Sequence, residues 1–141
     1  MDMKMTVEER EAFLAGLHVG VMAVERADGP PLTVPVWYDY EPGGEVVVVM
    51  GADSLKQRLL TAAGRFSLCA QDETLPYKYV SVEGEVASEA DADIDDTRSL
   101  AHRYMGEELG DMYADAASGD PSRRVTMRPQ RWFTVDYSKM G

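Results

Sequence analysis

The run Leu32-Thr33-Val34-Pro35-Val36-Trp37-Tyr38-Asp39-Tyr40 decides how this chain folds, together with the two segments after it. Glu41-Pro42-Gly43-Gly44 comes next, then Glu45-Val46-Val47-Val48-Val49-Met50-Gly51, then Ala52-Asp53-Ser54-Leu55-Lys56-Gln57-Arg58. β-branched and aromatic side chains fill the first and third pieces, the composition of strands on a half-buried surface. A Pro-Gly-Gly turn joins them into a hairpin. Pro35 has no N–H to give to a ladder, so its strand lies at an edge, a bulge or a seam. Val46 to Met50 is apolar throughout, which predicts cover on both faces. Ser54 or Asp53 then caps a helix, with Leu55, Leu59 and Ala62 expected toward the core.

Working outward, Thr6-Val7-Glu8-Glu9 has the spacing of a reciprocal cap, and Phe13, Leu14 and Leu17 follow at helical intervals up to a stop near Gly16. Val19 to Val24 reads as a strand, closed by the Ala27-Asp28-Gly29-Pro30-Pro31 turn. Phe66 to Gln71 and Tyr79 to Val86 alternate. In the second, Val80, Val82 and Val86 share one face, and Tyr79, Ser81, Glu83 and Glu85 the other. From Asp91 to Ala117 the pattern is helical, with Leu100, Tyr104, Leu109, Met112 and Tyr113 expected inside and Gly106 and Gly110 dividing it. Val125 to Arg128 and Trp132 to Tyr137 complete the strands. No repeat or linker interrupts the chain, so residues 1–141 are expected to form one domain. The fold class is α+β: a small, mostly antiparallel barrel whose closure disposes of its edges.

Fourteen basic against 25 acidic residues give a net charge of −11. That disfavours a general role on nucleic acid or anionic membranes. A lone cysteine, Cys69, excludes an internal disulfide and suits a reducing compartment. No apolar run approaches the ~20 residues of a membrane span. With a charged N-terminus unlike a signal peptide, the cytoplasm is expected.

Ser54, Lys56 and Arg58 gather a helix N-terminus, a point charge and a planar cation, groups that suit phosphate oxygens. The competing reading is a solvated basic turn. Val34, Pro35, Val36 and Trp37 can line a pocket for a flat ring, since Pro35 leaves neighbouring backbone groups unpaired. Trp37 and Tyr38 also suit the core or a dimer face. Gly51 permits close backbone approach to a ligand, or simply makes the turn. His18 and His102 are isolated, so no metal site is expected. Gly-x-Ser-x-Gly, Walker and Gly-x-Gly-x-x-Gly motifs are absent. A phosphate beside a flat apolar ring points to a flavin-like cofactor.

The ordered set Pro31 to Tyr38, Val47 to Gly51, Ser54-x-Lys56, Arg65 to Leu68, Tyr79 to Gly84 and Met127-Arg128-Pro129-x-Arg131-Trp132 resembles the pyridoxamine 5'-phosphate oxidase-like superfamily of flavin and deazaflavin proteins. The resemblance runs from about Leu14 to Tyr137. It implies a six-stranded split β-barrel with flanking helices, forming a homodimer with cofactors in clefts between subunits. Carried over, Ser54, Lys56 and Arg58 would hold the cofactor phosphate, and Val34, Pro35, Val36, Met50 and Gly51 would follow the ring. Tyr79, which would also orient substrate, approaches the cleft with Arg131 and Trp132 from the partner subunit. The chain lacks the basic C-terminal cluster of true pyridoxamine-phosphate oxidases, and the extra segments of haem-degrading members. What the resemblance leaves is an oxidoreductase using FMN or the deazaflavin coenzyme F-420 on a small unsaturated substrate. Arg65, Lys78, Arg123 and Arg124 are candidates for the deazaflavin's acidic tail. The alternatives are a non-catalytic protein that stores or shields a flavin, and a dimeric scaffold that binds proteins.

Overall fold

The computed structural model describes all of residues 1–141. Its elements are α1 (Val7–Ala15), β1 (Gly20–Val24), β2 (Leu32–Val36), β3 (Tyr38–Asp39), β4 (Val46–Gly51), α2 (Leu55–Ala63), β5 (Arg65–Asp72), β6 (Lys78–Asp91), α3 (Ile94–Ala117), β7 (Ser122–Met127) and β8 (Arg131–Asp136), then a short helical turn, Tyr137–Lys139. The strands pair antiparallel in the order β2-β1-β5-β6-β7-β4-β3, with β8 also on β6. The first and last strands of that order are neighbours in the chain, separated by Trp37 alone. A sheet whose two edges are tied by one residue must curl round on itself, which makes a split barrel.

Eight strand segments stand where the resemblance implies six, partly because Trp37 breaks the Leu32–Tyr40 run in two. Pro35 lies on the edge strand β2, opposite Val21. The 14-residue β6 is shared: Lys78–Glu85 pairs with β5, and Val86–Asp91 pairs with β7 across a register shift between Val86 and Ser88. Inside the curl, alternate residues form one core of 17 buried side chains, among them Met22, Val48, Leu68, Val80, Val82 and Met127. At Gly84 a side chain would fall on the Arg128 carbonyl oxygen, so only glycine lets the β7–β8 turn close. β4 is covered unevenly: Val46, Val48 and Met50 are buried, while Val47 and Val49 are half-buried.

Both local caps form as the sequence indicates. Thr6 Oγ accepts from the Glu9 amide at 3.1 Å and the Glu9 carboxylate accepts from the Thr6 amide at 2.8 Å. Ser54 caps α2 by accepting from Gln57 N at 3.2 Å. Of the residues expected inward on α2, Leu59 packs against the core beside the buried Gln57 and Leu60, whereas Leu55 and Ala62 are exposed.

α3 departs from expectation. Leu100 is buried, but Leu109, Met112 and Tyr113 are 54%, 63% and 45% exposed. Gly106, at φ 81° and ψ 175°, breaks the helix and sends its second half back along the first. A continuous 3.6-residue stripe would bury all five large residues. In the hairpin, the small Gly110 packs on Ala101 and His102 and Ala114 is buried, while the large side chains turn outward. Arg98 clamps the two halves through Asp111 and Asp115, each at 2.8 Å, and His102 reaches Asp111 at 2.7 Å. His102 first and Arg98 second hold the Asp111 carboxyl below its ordinary range. No helix is long and apolar enough to cross a membrane.

Candidate functional site

The break at Trp37 builds the site. Tyr38 is fully buried, and its hydroxyl donates to Leu14 O at 2.7 Å. Desolvation, with Tyr104 beside it, raises that phenol far above its ordinary pKa, so it stays a donor. The Tyr104 hydroxyl serves the backbone that the break leaves unpaired. It accepts from Tyr38 N at 3.1 Å and donates to His18 O at 2.6 Å. Arg103 reaches the Tyr38, Ala15 and Gly16 carbonyls at 3.1, 3.1 and 2.8 Å, satisfying the C-terminal end of α1 as well. Consecutive residues of α3 thus pin the hairpin to the gap between β2 and β3.

Trp37, freed from the ladder, stacks on Tyr104 with centroids 5.2 Å apart and planes 7° apart. It meets Tyr113, from the returning half of α3, at 5.2 Å and 55°. Beside it opens a cavity of about 270 Å³, lined by Val19, Pro35, Val36, Trp37, Val49, Lys56 and Tyr113. Five apolar walls, one ammonium and one phenol make up the lining, and no carboxylate belongs to it. Arg65, Arg98, Arg103, Arg123, Arg124, Arg131 and Lys139 are each paired with an acid. Lys56 is in no such pair, and the first turn of α2 carries no acidic residue.

A larger groove of about 480 Å³ lies on the outer face of the sheet, around Glu25, Arg65, Glu83, Gln130 and Arg131. Both of its cations are matched, Arg65 by Glu25 and Arg131 by Glu83 at 3.6 Å, and Glu85 adds a further negative charge. Such a net-acidic surface disfavours an anion, and the smaller cavity is the better candidate for one.

Of the residues the sequence singles out, the cavity unites Pro35, Val36, Trp37 and Lys56. Ser54, the cap two residues before Lys56, has its hydroxyl donating to Gly51 O at 2.8 Å while it caps the helix. Arg58 falls about 200° further round α2 than Lys56 and is exposed, away from the lining. Val34 packs against the core, Met50 is 4% exposed within it, and Gly51 ends β4 in solvent. Tyr79 lies on the outer face of β6 between Gln71 and Val135. Arg131 belongs to the polar groove. Trp132 turns inward, edge-on to Tyr40 at 6.1 Å, with the Arg10 guanidinium 4.6 Å over its ring. Arg65, Arg123 and Arg124, candidates for an acidic tail, already bind carboxylates. The sequence reading did not name Val19, Val49 or Tyr113 as lining. Tyr113 carried a misleading signal, since its helical spacing pointed to the core.

A family model described as pyridoxamine 5'-phosphate oxidase matches residues 6–136. The chain belongs to that family. No curated protein matches it. Among solved structures, a conserved hypothetical protein of Mycobacterium tuberculosis superposes with a TM-score of 0.77 at 23% identity, covering 99% of this chain and 90% of that one. An F-420 reductase gives 0.66 at 23%, covering 87% and 94%. An FAD-binding protein of Mesorhizobium loti gives 0.66 at 18%, covering 93% of each. At these identities the likeness is one of fold, and it extends over nearly the whole of each chain.

Proposed function

We propose that this member of the pyridoxamine 5'-phosphate oxidase family binds a phosphorylated flavin-type cofactor, FMN or coenzyme F-420, with residues 1–141 acting as one domain. Its activity on this reading is that of an oxidoreductase for a small, planar, unsaturated substrate. The observation that carries the reading is Lys56, an unpaired cation at a helix start, contributing the one charge to an acid-free cavity walled by Pro35, Val36, Trp37 and Val49. On a chain of net charge −11, such a spot attracts an anionic tail joined to an apolar ring.

These residues fit the group. Lys56 and the first-turn amides of α2 would hold the phosphate. Pro35, Val36, Trp37 and Val49 would lie along the ring and keep water from it. Bound there, the cofactor supplies hydride transfer, and the protein supplies position and electrostatics. The family's solved relatives include proteins named for F-420 and FAD, which agrees with this reading.

A cavity of about 270 Å³ falls below the ~300–1,000 Å³ of sites that engulf a small molecule. One chain would therefore enclose part of the cofactor, and a homodimer the rest. The outer row Pro35, Val21, Cys69, Ser81 and Phe133 suits the pairing face. Val21 and Phe133 are 42% and 52% exposed there, flanking small residues. In that assembly Tyr79 and Arg131, on the outer face, would complete the partner's cleft, whereas Trp132 is turned into its own core.

Titration of the purified protein with FMN and with F-420, read by absorption and fluorescence, tests the proposal. Low-micromolar binding of either supports it; failure of both below high-micromolar levels ends it. Storage of a cofactor without turnover is the second reading, favoured by a lining that holds no acid or base other than Lys56 and Tyr113. Reduction or oxidation of added acceptors by the loaded protein decides between them.

A further inference from the structure

The two halves of α3 are fastened in different ways. In the first half Leu100 and Ala101 are buried, and Arg103 and Tyr104 bind carbonyls at Ala15, Gly16, His18 and Tyr38. Asp96 adds a pair with Arg124 of β7 at 3.7 Å. Beyond Gly106, the buried residues are only Gly110 and Ala114. The side-chain hydrogen bonds of that returning half run to the first half and not to the barrel. Asp111 and Asp115 both accept from Arg98, and His102 shares Asp111. The chain is tied to the barrel again at Pro121 and Ser122, whose carbonyls accept from Ala52 and Ala92.

Little apolar burial and fastening by surface charges are the marks of a low-stability unit. The Arg98, Asp111 and Asp115 side chains are 29%, 44% and 72% exposed, so their pairs are individually weak and screened by salt. Gly106 suits a pivot: its φ of 81° is open to glycine, and no other part of the chain stands within 4 Å of where a side chain would be. Once off the first half, a helix this short falls below the ~12–15 residues that hold in water, so detachment and unwinding coincide. What detachment uncovers is specific. Tyr113 belongs to the returning half, whereas Tyr104 precedes the pivot and keeps its stack on Trp37. Opening removes one wall of the cavity and leaves the others in place.

We infer that residues 107–117 form a hinged lid over the cavity, latched shut by Arg98 and released about Gly106, and that its opening is the way in for a ligand. Ionic strength then sets how often the cavity is open, because the latch is made of exposed charges. This inference rests on the cofactor reading only in what the ligand is called; pivot and latch are properties of the chain.

The test follows amide exchange by NMR at 50 mM and 500 mM salt, together with access of a neutral paramagnetic probe to the Trp37 indole. Met112, Tyr113 and Ala114 amides are expected to exchange at least about tenfold faster than those of Leu100, Ala101 and His102. Arg98→Ala should speed the first group roughly fivefold more, the scale of two exposed ion pairs, and leave the second group unchanged. Higher salt should do the same to the wild type, a measurement that holds even if the variant does not fold. Probe access to Trp37 should rise in step. Stopped-flow association of FMN and F-420 should quicken by a similar factor in Arg98→Ala, since entry scales with the open fraction. Equal exchange in the two halves, equal acceleration of both, or faster exchange with Trp37 access unchanged would overturn the lid. Cofactor association that stays constant while exchange rises would also overturn it. If FMN and F-420 both fail to bind while exchange and probe access follow Arg98, the cofactor reading falls and the lid stands.

Discussion

Lys56 is where the functional reading is most exposed to a single substitution. It has no acidic partner in the chain, so Lys56→Ala removes no internal ion pair and should leave folding untouched. A charge-assisted hydrogen bond contributes about 1.5–3 kcal/mol. Loss of cofactor affinity by roughly 10- to 150-fold is therefore expected, measured by titration with FMN and F-420. Unaltered affinity in a folded variant would remove Lys56 from the site. Glu9 makes a second residue-scale prediction. The Lys139 ammonium, then the Thr6 amide, lower its carboxyl from the ordinary 4.5 to about 2. A carboxyl depressed on folding stabilises above its unfolded pKa and loses that contribution as pH falls through the folded value. The tie between α1 and the C-terminal turn should hold down to about pH 4.5 and loosen between there and pH 2. Chemical-shift titration of the Glu9 carboxyl and the Lys139 ammonium would track it; a midpoint near 4.5 would show that the pair does not form. Lys56 was readable from its charge and Glu9 from its cap, chemistry that lies within a few positions of chain, but the Lys139 partner of Glu9 stands 130 residues away and was not. Nor was Arg58. Two residues from Lys56 in sequence, it projects to the opposite side of α2.

The elements show why local pattern reading succeeds and then stops. α1 and α2 begin at Thr6 and Ser54 through side chains that serve their own first turns, a chemistry complete within four residues. The α3 break was likewise visible at Gly106. What the break does was not, since the direction of the returning segment depends on contacts 9 to 17 residues apart, such as His102 with Asp111 and Arg98 with Asp115. Gly110→Ala tests the hairpin. Its added carbon would stand 2.6 Å from His102 Cδ2 and within 3 Å of backbone, so overpacking should cost about 1–3 kcal/mol. A fall in Tm of several degrees is expected by scanning calorimetry. Gly119→Ala, which meets nothing within 4 Å, is the control and should shift Tm by little. Equal behaviour of the two variants would mean that the halves do not pack together.

At the scale of the whole molecule, the barrel places its outer apolar row and its cavity on the same edge strand, because Pro35 belongs to both. If copies pair through that row, a charge at its far end should separate them. Phe133 is 52% exposed, so Phe133→Asp is expected to leave the monomer folded and convert dimer to monomer in sedimentation velocity. A wild-type protein that already sediments as a monomer would dispose of the intersubunit cleft. Cofactor affinity should fall with the dimer, since one chain offers a cavity of only about 270 Å³.

Strand positions, helix starts, the glycine break and the family likeness all come from the order of residues, because each depends on neighbours a few bonds away. Only the folded molecule decided that the run holding Trp37 supplies both edges of the sheet. It also decided that Lys56 rather than Arg58 faces the cavity, and that Tyr113 borders the cavity instead of filling the core. Those outcomes depend on closure of the curl and on the turn-back of α3. Both bring together segments tens of residues apart, whose meeting no local period encodes.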